Sequence, residues 1–147
     1  MSEAAWETSH SVESNVSPGL AWSFMTNVAN WDDPPATFEL EGPFEAGTNG
    51  TTRFPGQEPR RWRIAQVNAG SSYELVMPLD GATISVEWRF GAREGGGSEL
   101  SQRIVLRGEN AEAYVEPVRQ GFGSNLAAGM SRIAAAMERA AAPGVRT

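Results

Sequence analysis

From about residue 37 to residue 108, apolar and polar side chains alternate, and clusters of turn-forming residues interrupt the alternation about every eight to twelve positions. A period of two sends successive side chains to opposite faces of an extended chain. This half of the protein can therefore fold only as strands joined by tight turns. The expected strands are 37–42, 50–55, 60–68, 72–78, 82–92 and 99–107. Gly47-Thr48-Asn49-Gly50, Pro55-Gly56, Ala69-Gly70, Asp80-Gly81 and Gly95-Gly96-Gly97 separate them, which describes an antiparallel meander.

The flanks differ. Residues 5–13 form one further alternating segment, with Trp6, Thr8, His10 and Val12 in one phase. Ser17-Pro18 then opens a helix, Ser as cap and Pro at the first helical position, and Leu20, Phe24 and Val28 give it an apolar stripe. Asp32-Asp33-Pro34-Pro35 ends that region, because Pro cannot continue a helix. Residues 111–141 form one long helical pattern, with Val115, Val118, Phe122, Leu126, Met130, Ile133 and Met137 three or four apart. Gly121, Gly123 and Gly129 each cost an isolated helix about 1 kcal/mol relative to Ala, so they imply close approach to the sheet or a bend. Pro143-Gly144 closes it. With no internal repeat and no linker, residues 1–147 read as one domain, and a chain of this length buries roughly two-thirds of its unfolded surface.

Composition removes several chemistries. There is no Cys, hence no thiol nucleophile, disulfide or thiolate zinc site; there is no Lys, hence no side-chain Schiff base; and a single His excludes a metal held by two. All eight acidic residues of the first 52 positions precede the first Arg, Arg53, so the first third is strongly acidic within a net charge of −6. Such a balance disfavours nucleic acid and anionic lipid as partners. No apolar run approaches the ~18 residues of a membrane helix, and Met1-Ser2-Glu3 does not begin an export signal. The expectation is a soluble, cytoplasmic protein without integral membrane association; nothing in the pattern fixes its oligomeric state.

The run Val16-Ser17-Pro18 through Trp22, then Asn27-Val28-Ala29-Asn30-Trp31, then Gly42 to Gly47-Thr48 resembles the start of the START-like, or SRPBCC, superfamily, and within it the polyketide cyclase/dehydrase and lipid-transport group. The resemblance implies an α+β helix-grip fold. A seven-stranded antiparallel sheet wraps around a long C-terminal helix, and two short helices follow the first strand. It also implies a cavity between sheet and helix, used in the family for lipids, sterols, polyketides, hormones or quinones, and in some members for catalysis.

The more apolar phase of each strand is assigned to that cavity. Phe54, Trp62, Ile64, Gln66, Tyr73, Leu75, Met77, Val86, Trp88, Phe90, Gln102 and Ile104 then face inward, joined by Phe122, Leu126 and Met130 from the helix and by Trp31 at the mouth. Phe38, Leu40, Thr52, Ile84, Leu100 and Leu106 share the phase. The charged residues take the opposite one, including Glu39, Arg53, Arg61, Arg63, Glu74, Glu87, Arg89, Arg103 and Arg107. An apolar wall carrying only Thr52, Gln66, Tyr73 and Gln102 as polar groups, with Thr8 and His10 from the first strand, has the composition of a small-molecule pocket.

Catalysis needs more. His10 is the one weak candidate for a general base. Some cyclases of the family project an Arg from the strand numbered 60–68 here, where the inward positions are instead Trp62, Ile64 and Gln66. Gly121-Phe122-Gly123 and Gly95-Gly96-Gly97 lack the residues of a dinucleotide or phosphate loop, and there is no Gly-x-Ser-x-Gly elbow. Trp31 with residues 32–35 is a candidate gate. The expected function is binding of a small hydrophobic or amphipathic molecule with no cofactor and no metal. The alternatives are a cyclase or dehydratase using His10, and a co-chaperone-like interaction module using the outer surface.

Overall fold

The computed structural model describes residues 4–31 and 36–141. Seven strands form one antiparallel sheet: β1 (Ala4–Ser14), β2 (Thr37–Leu40), β3 (Asn49–Arg53), β4 (Arg60–Asn68), β5 (Ser72–Leu79), β6 (Ala82–Ala92) and β7 (Ser98–Arg107). Their order is β1-β7-β6-β5-β4-β3-β2, so the meander runs from one edge and β1 closes the other by pairing with β7. The helix-grip architecture expected from the sequence is present. At the β5–β6 hairpin the turn is Asp80-Gly81, with Gly81 at φ 77°, a left-handed conformation that glycine adopts without strain.

Helix α1 (Pro18–Met25) starts where the Ser17-Pro18 signal placed it, the Ser17 hydroxyl accepting from the Leu20 amide at 3.2 Å. Its buried face is Ala21 and Met25, however, while Leu20 lies exposed, so the stripe through Leu20 is corrected. A 3₁₀ turn, Val28–Asn30, follows in place of a second full helix. Residues 32–35, and with them the Asp-Asp-Pro-Pro stop and the loop half of the candidate gate, lie outside the described residues.

The C-terminal pattern is not one continuous helix. A 3₁₀ turn (Ala111–Tyr114) leads into α2 (Val115–Val118), then a π-helical turn (Arg119–Gly123), then α3 (Leu126–Ala141). The reason is visible at Gly123, where a β carbon would stand 3.1 Å from the Trp6 ring. The helix meets the Trp6 ring of β1 there at a distance that would crowd a β carbon, and the wide π turn absorbs the change of direction. Val118, Leu126, Met130 and Met137 still face the core, as their spacing required.

Beyond the turn, Glu138 ties α3 to the corner between β1 and α1. One carboxylate oxygen accepts from the Ser14 hydroxyl and from the Asn15 amide, each at 3.2 Å. No helix among the described residues is long and apolar enough to cross a membrane.

Candidate functional site

The strand register arranges the concave face into cross-strand rows. One runs Trp6, Leu106, Ile84, Met77; the next runs Thr8, Ile104, Val86, Leu75, Ile64; a third runs His10, Gln102, Trp88, Tyr73, Val67. No Asp, Glu or Arg side chain belongs to these rows. Glu7, Glu39, Arg53 and Arg103 fall in the opposite phase and pair there, Arg103 with Glu7 at 2.9 Å and Arg53 with Glu39 at 2.7 Å. Hydrogen bonding and the positive charge of Arg103 hold the Glu7 carboxyl below its ordinary range.

One inward assignment is wrong. Gln66 is exposed and lies beside Glu87 and Arg89 on the outer side, because the β4–β5 register slips between Ile64 and Gln66. An extra residue in β4 turns every later side chain over, so Val67 takes the inward place beside Tyr73. The apolar step from Ile64 to Val67 is three residues rather than two, and that step is the signal in the sequence.

The remaining candidates fall into two groups. Tyr73, Leu75, Met77, Val86, Trp88, Phe90 and Ile104 join Phe122, Leu126 and Met130 in the main core. Trp31 and Trp62 meet at a tilt of 32°, ring centroids 5.5 Å apart, with Phe38 at one end of the sheet, forming a second aromatic group over β2–β4, while Ile64 bridges toward Leu75. Phe54 sits beyond it, its ring under the Arg60 guanidinium at 5.9 Å. The Trp31 indole donates to the Met25 carbonyl at 2.8 Å, so this ring is anchored between α1 and the sheet.

Burial separates the main group further. Ile84, Ile104, Tyr73, Trp88, Phe90 and Met130 are buried, whereas Leu75, Met77 and Val86 in the middle of the sheet, and Phe122 on the π turn, stay partly exposed. The concave face is apolar at its centre and not fully sealed. Among its polar groups, Thr52 is taken, accepting from the Trp62 indole at 3.0 Å. Tyr73 is not. Its ring is 1% exposed, enclosed by Phe44, Phe90 and Trp22 at 4.9, 6.0 and 6.1 Å, and its hydroxyl has no hydrogen-bond partner. Burial pushes this phenol well above its ordinary pKa, which keeps it a neutral donor. An unsatisfied buried hydroxyl costs about 1–3 kcal/mol.

A groove of about 450 Å³ opens between β1 and the π turn, lined by Trp6, Glu7, Thr8, Arg119, Gln120, Gly123 and Ser124. There, inward-facing Trp6 and Thr8 meet solvent. A second hollow, about 510 Å³, lies around Gln66, Ser72, Glu87 and Arg89 on the polar outer side.

A sheet gripping a C-terminal helix around an apolar face without fixed charges defines a helix-grip protein. Its family follows from the sequence: the chain belongs to the polyketide cyclase/dehydrase and lipid transport family, whose model matches residues 5–138. Among solved structures, a norcoclaurine synthase from Thalictrum flavum superposes with a TM-score of 0.71 at 13% identity, covering 96% of this chain and 94% of that one. A protein from Nitrosomonas europaea gives 0.68 at 8% identity over 93% and 97%, and one from Mycobacterium smegmatis 0.64 at 14% over 93% and 91%. At these identities the likeness is one of fold. No curated protein matches the sequence.

Proposed function

We propose that residues 1–147 act as one binding domain for a small hydrophobic or amphipathic molecule, held between the concave face and the C-terminal helices. The carrying observation is the partly exposed apolar patch of Leu75, Met77 and Val86 on the inner side of the sheet with Phe122 on the π turn. A soluble core of this size gains by sealing such a patch, at about 25 cal/mol per Å² of apolar surface removed from water. A ligand covering ~300 Å² would gain about 7 kcal/mol before the cost of immobilising it. Membership of a family that includes lipid transport supports the same reading. The protein needs no cofactor for it.

Gentle native mass spectrometry of the protein as expressed, with solvent extraction of any adduct, tests this together with titration by the neutral dye Nile red. The expected result is enhanced Nile red fluorescence that Phe122→Asp abolishes while far-ultraviolet circular dichroism is retained. No adduct and no enhancement would overturn the reading.

A second reading, cyclisation or dehydration in the same space, draws on the third row, where His10, Gln102 and Tyr73 lie along one line of the sheet. It requires turnover that His10→Ala removes without removing Nile red binding.

A further inference from the structure

Building on the ligand-binding reading, we propose that the ligand is neutral and carries an oxygen acceptor, such as a ketone, ester or ether oxygen, that accepts a hydrogen bond from the Tyr73 hydroxyl. Three observations carry this. The Tyr73 hydroxyl is fully buried, and it is unpartnered. A phenol so placed has a proton to give and nothing to give it to, and its ring packs edge-on against Trp22 and Phe44.

The second observation is the charge pattern. No Arg projects from the rows that contain Tyr73, Leu75 and Met77, and the chain has no Lys. A carboxylate or phosphate brought beside Tyr73 would therefore lose its hydration and find only the rings of Trp22, Phe44 and Phe90 around it, whereas a neutral carbonyl loses little and regains it from one donor. Free fatty acids are thereby disfavoured against neutral oxygenated molecules.

The third is position. Tyr73 pairs with Trp88, and Trp88 with Gln102, so the two polar side chains flank an indole on adjacent strands, roughly 10 Å apart from β5 to β7. Gln102 is partly exposed where Tyr73 is closed. The oxygen end of the ligand lies deep, toward α1, and the apolar body extends over Val86 and Leu75. Phe44 sits on the loop between β2 and β3 rather than in the sheet, so it is the ring that must swing aside.

The test compares three probes of one shape, 2-acetylnaphthalene, 2-isopropenylnaphthalene and 2-naphthoate, by displacement of Nile red from the full chain and from Tyr73→Phe. The wild-type protein is expected to bind the ketone about tenfold more tightly than the hydrocarbon, and Tyr73→Phe to bring that ratio to about one. Naphthoate should bind more weakly than the ketone to both. Independently of any variant, the carbonyl stretch of the bound ketone should fall to lower frequency than in an apolar solvent. An equal ketone preference in both proteins, an unshifted stretch, or tighter binding of naphthoate would overturn the proposal while leaving the binding site intact. Failure of all three probes to displace Nile red would overturn the proposal through its site, and failure of Nile red itself to bind would overturn the broader reading as well.

Discussion

Gly50 of β3 lies directly beneath the Trp62 indole of β4, so close that no β carbon fits between them. The two residues are cross-strand partners, and the missing side chain of one makes room for the ring of the other. Trp62 can then reach Thr52 with its ring nitrogen and pack against Trp31. Gly50→Ala should therefore destabilise the fold by about 1–3 kcal/mol in chemical denaturation. In a Trp62→Ala background the same change should cost almost nothing. An additive double-mutant cycle would show that the two residues do not depend on each other.

The hold of Glu138 on the β1–α1 corner is local and accepts two hydrogen bonds through one oxygen. Glu138→Ala should cost about 1–2 kcal/mol and lower the midpoint of thermal unfolding by several degrees. Hydrogen exchange should rise at Asn15 and Val16, whose amides lose direct or indirect support from the carboxylate. Unchanged exchange there would mean that packing of α3 alone fixes the corner.

Glu7 should titrate below the ordinary carboxylate range in the folded protein, and Arg103→Ala should return it to that range. A depressed folded pKa contributes stability above the unfolded value, and that contribution is lost as pH falls through the folded one. The pair is exposed, so the effect on stability is small and screened by salt. Carbon-detected titration of the Glu7 side chain reads it directly.

Tyr73 gives the opposite pH signature. Its folded pKa is raised, so stability is fully present below the unfolded phenol value and declines as pH rises beyond it, because only the unfolded chain releases the proton. Alkaline titrations of wild type and Tyr73→Phe, followed by tyrosinate absorbance, should coincide while the protein is folded and separate only at unfolding. Early separation would mean that water reaches the hydroxyl.

Much of this architecture was legible in the sequence because strand alternation and turn residues are local. β4 and β6 occupy the expected 60–68 and 82–92, and Ser17-Pro18 marks the start of α1. Gln66 was misplaced because a single extra residue inverts a strand without changing its composition. Leu20 was misplaced because eight residues define a helical face poorly and small Ala21 takes the buried position. The π turn escaped because helical spacing continues across it, although the Gly residues in it hinted at close approach to Trp6. The orphaned hydroxyl of Tyr73 depends on three rings from distant parts of the chain, Trp22, Phe44 and Phe90, and no local pattern records their meeting.

The closure of the sheet by β1 also dictates a sequence of events during synthesis and folding. Strands β2 to β7 pair with their immediate neighbours through short loops, but Ser11 finds Ser101 across 90 positions. The first of these seven strands to be synthesised is thus among the last to acquire a partner, and until β7 emerges the hydrogen-bonding edge of an eleven-residue segment stands open. That interval, rather than the finished structure, is when this chain is most exposed to misassociation.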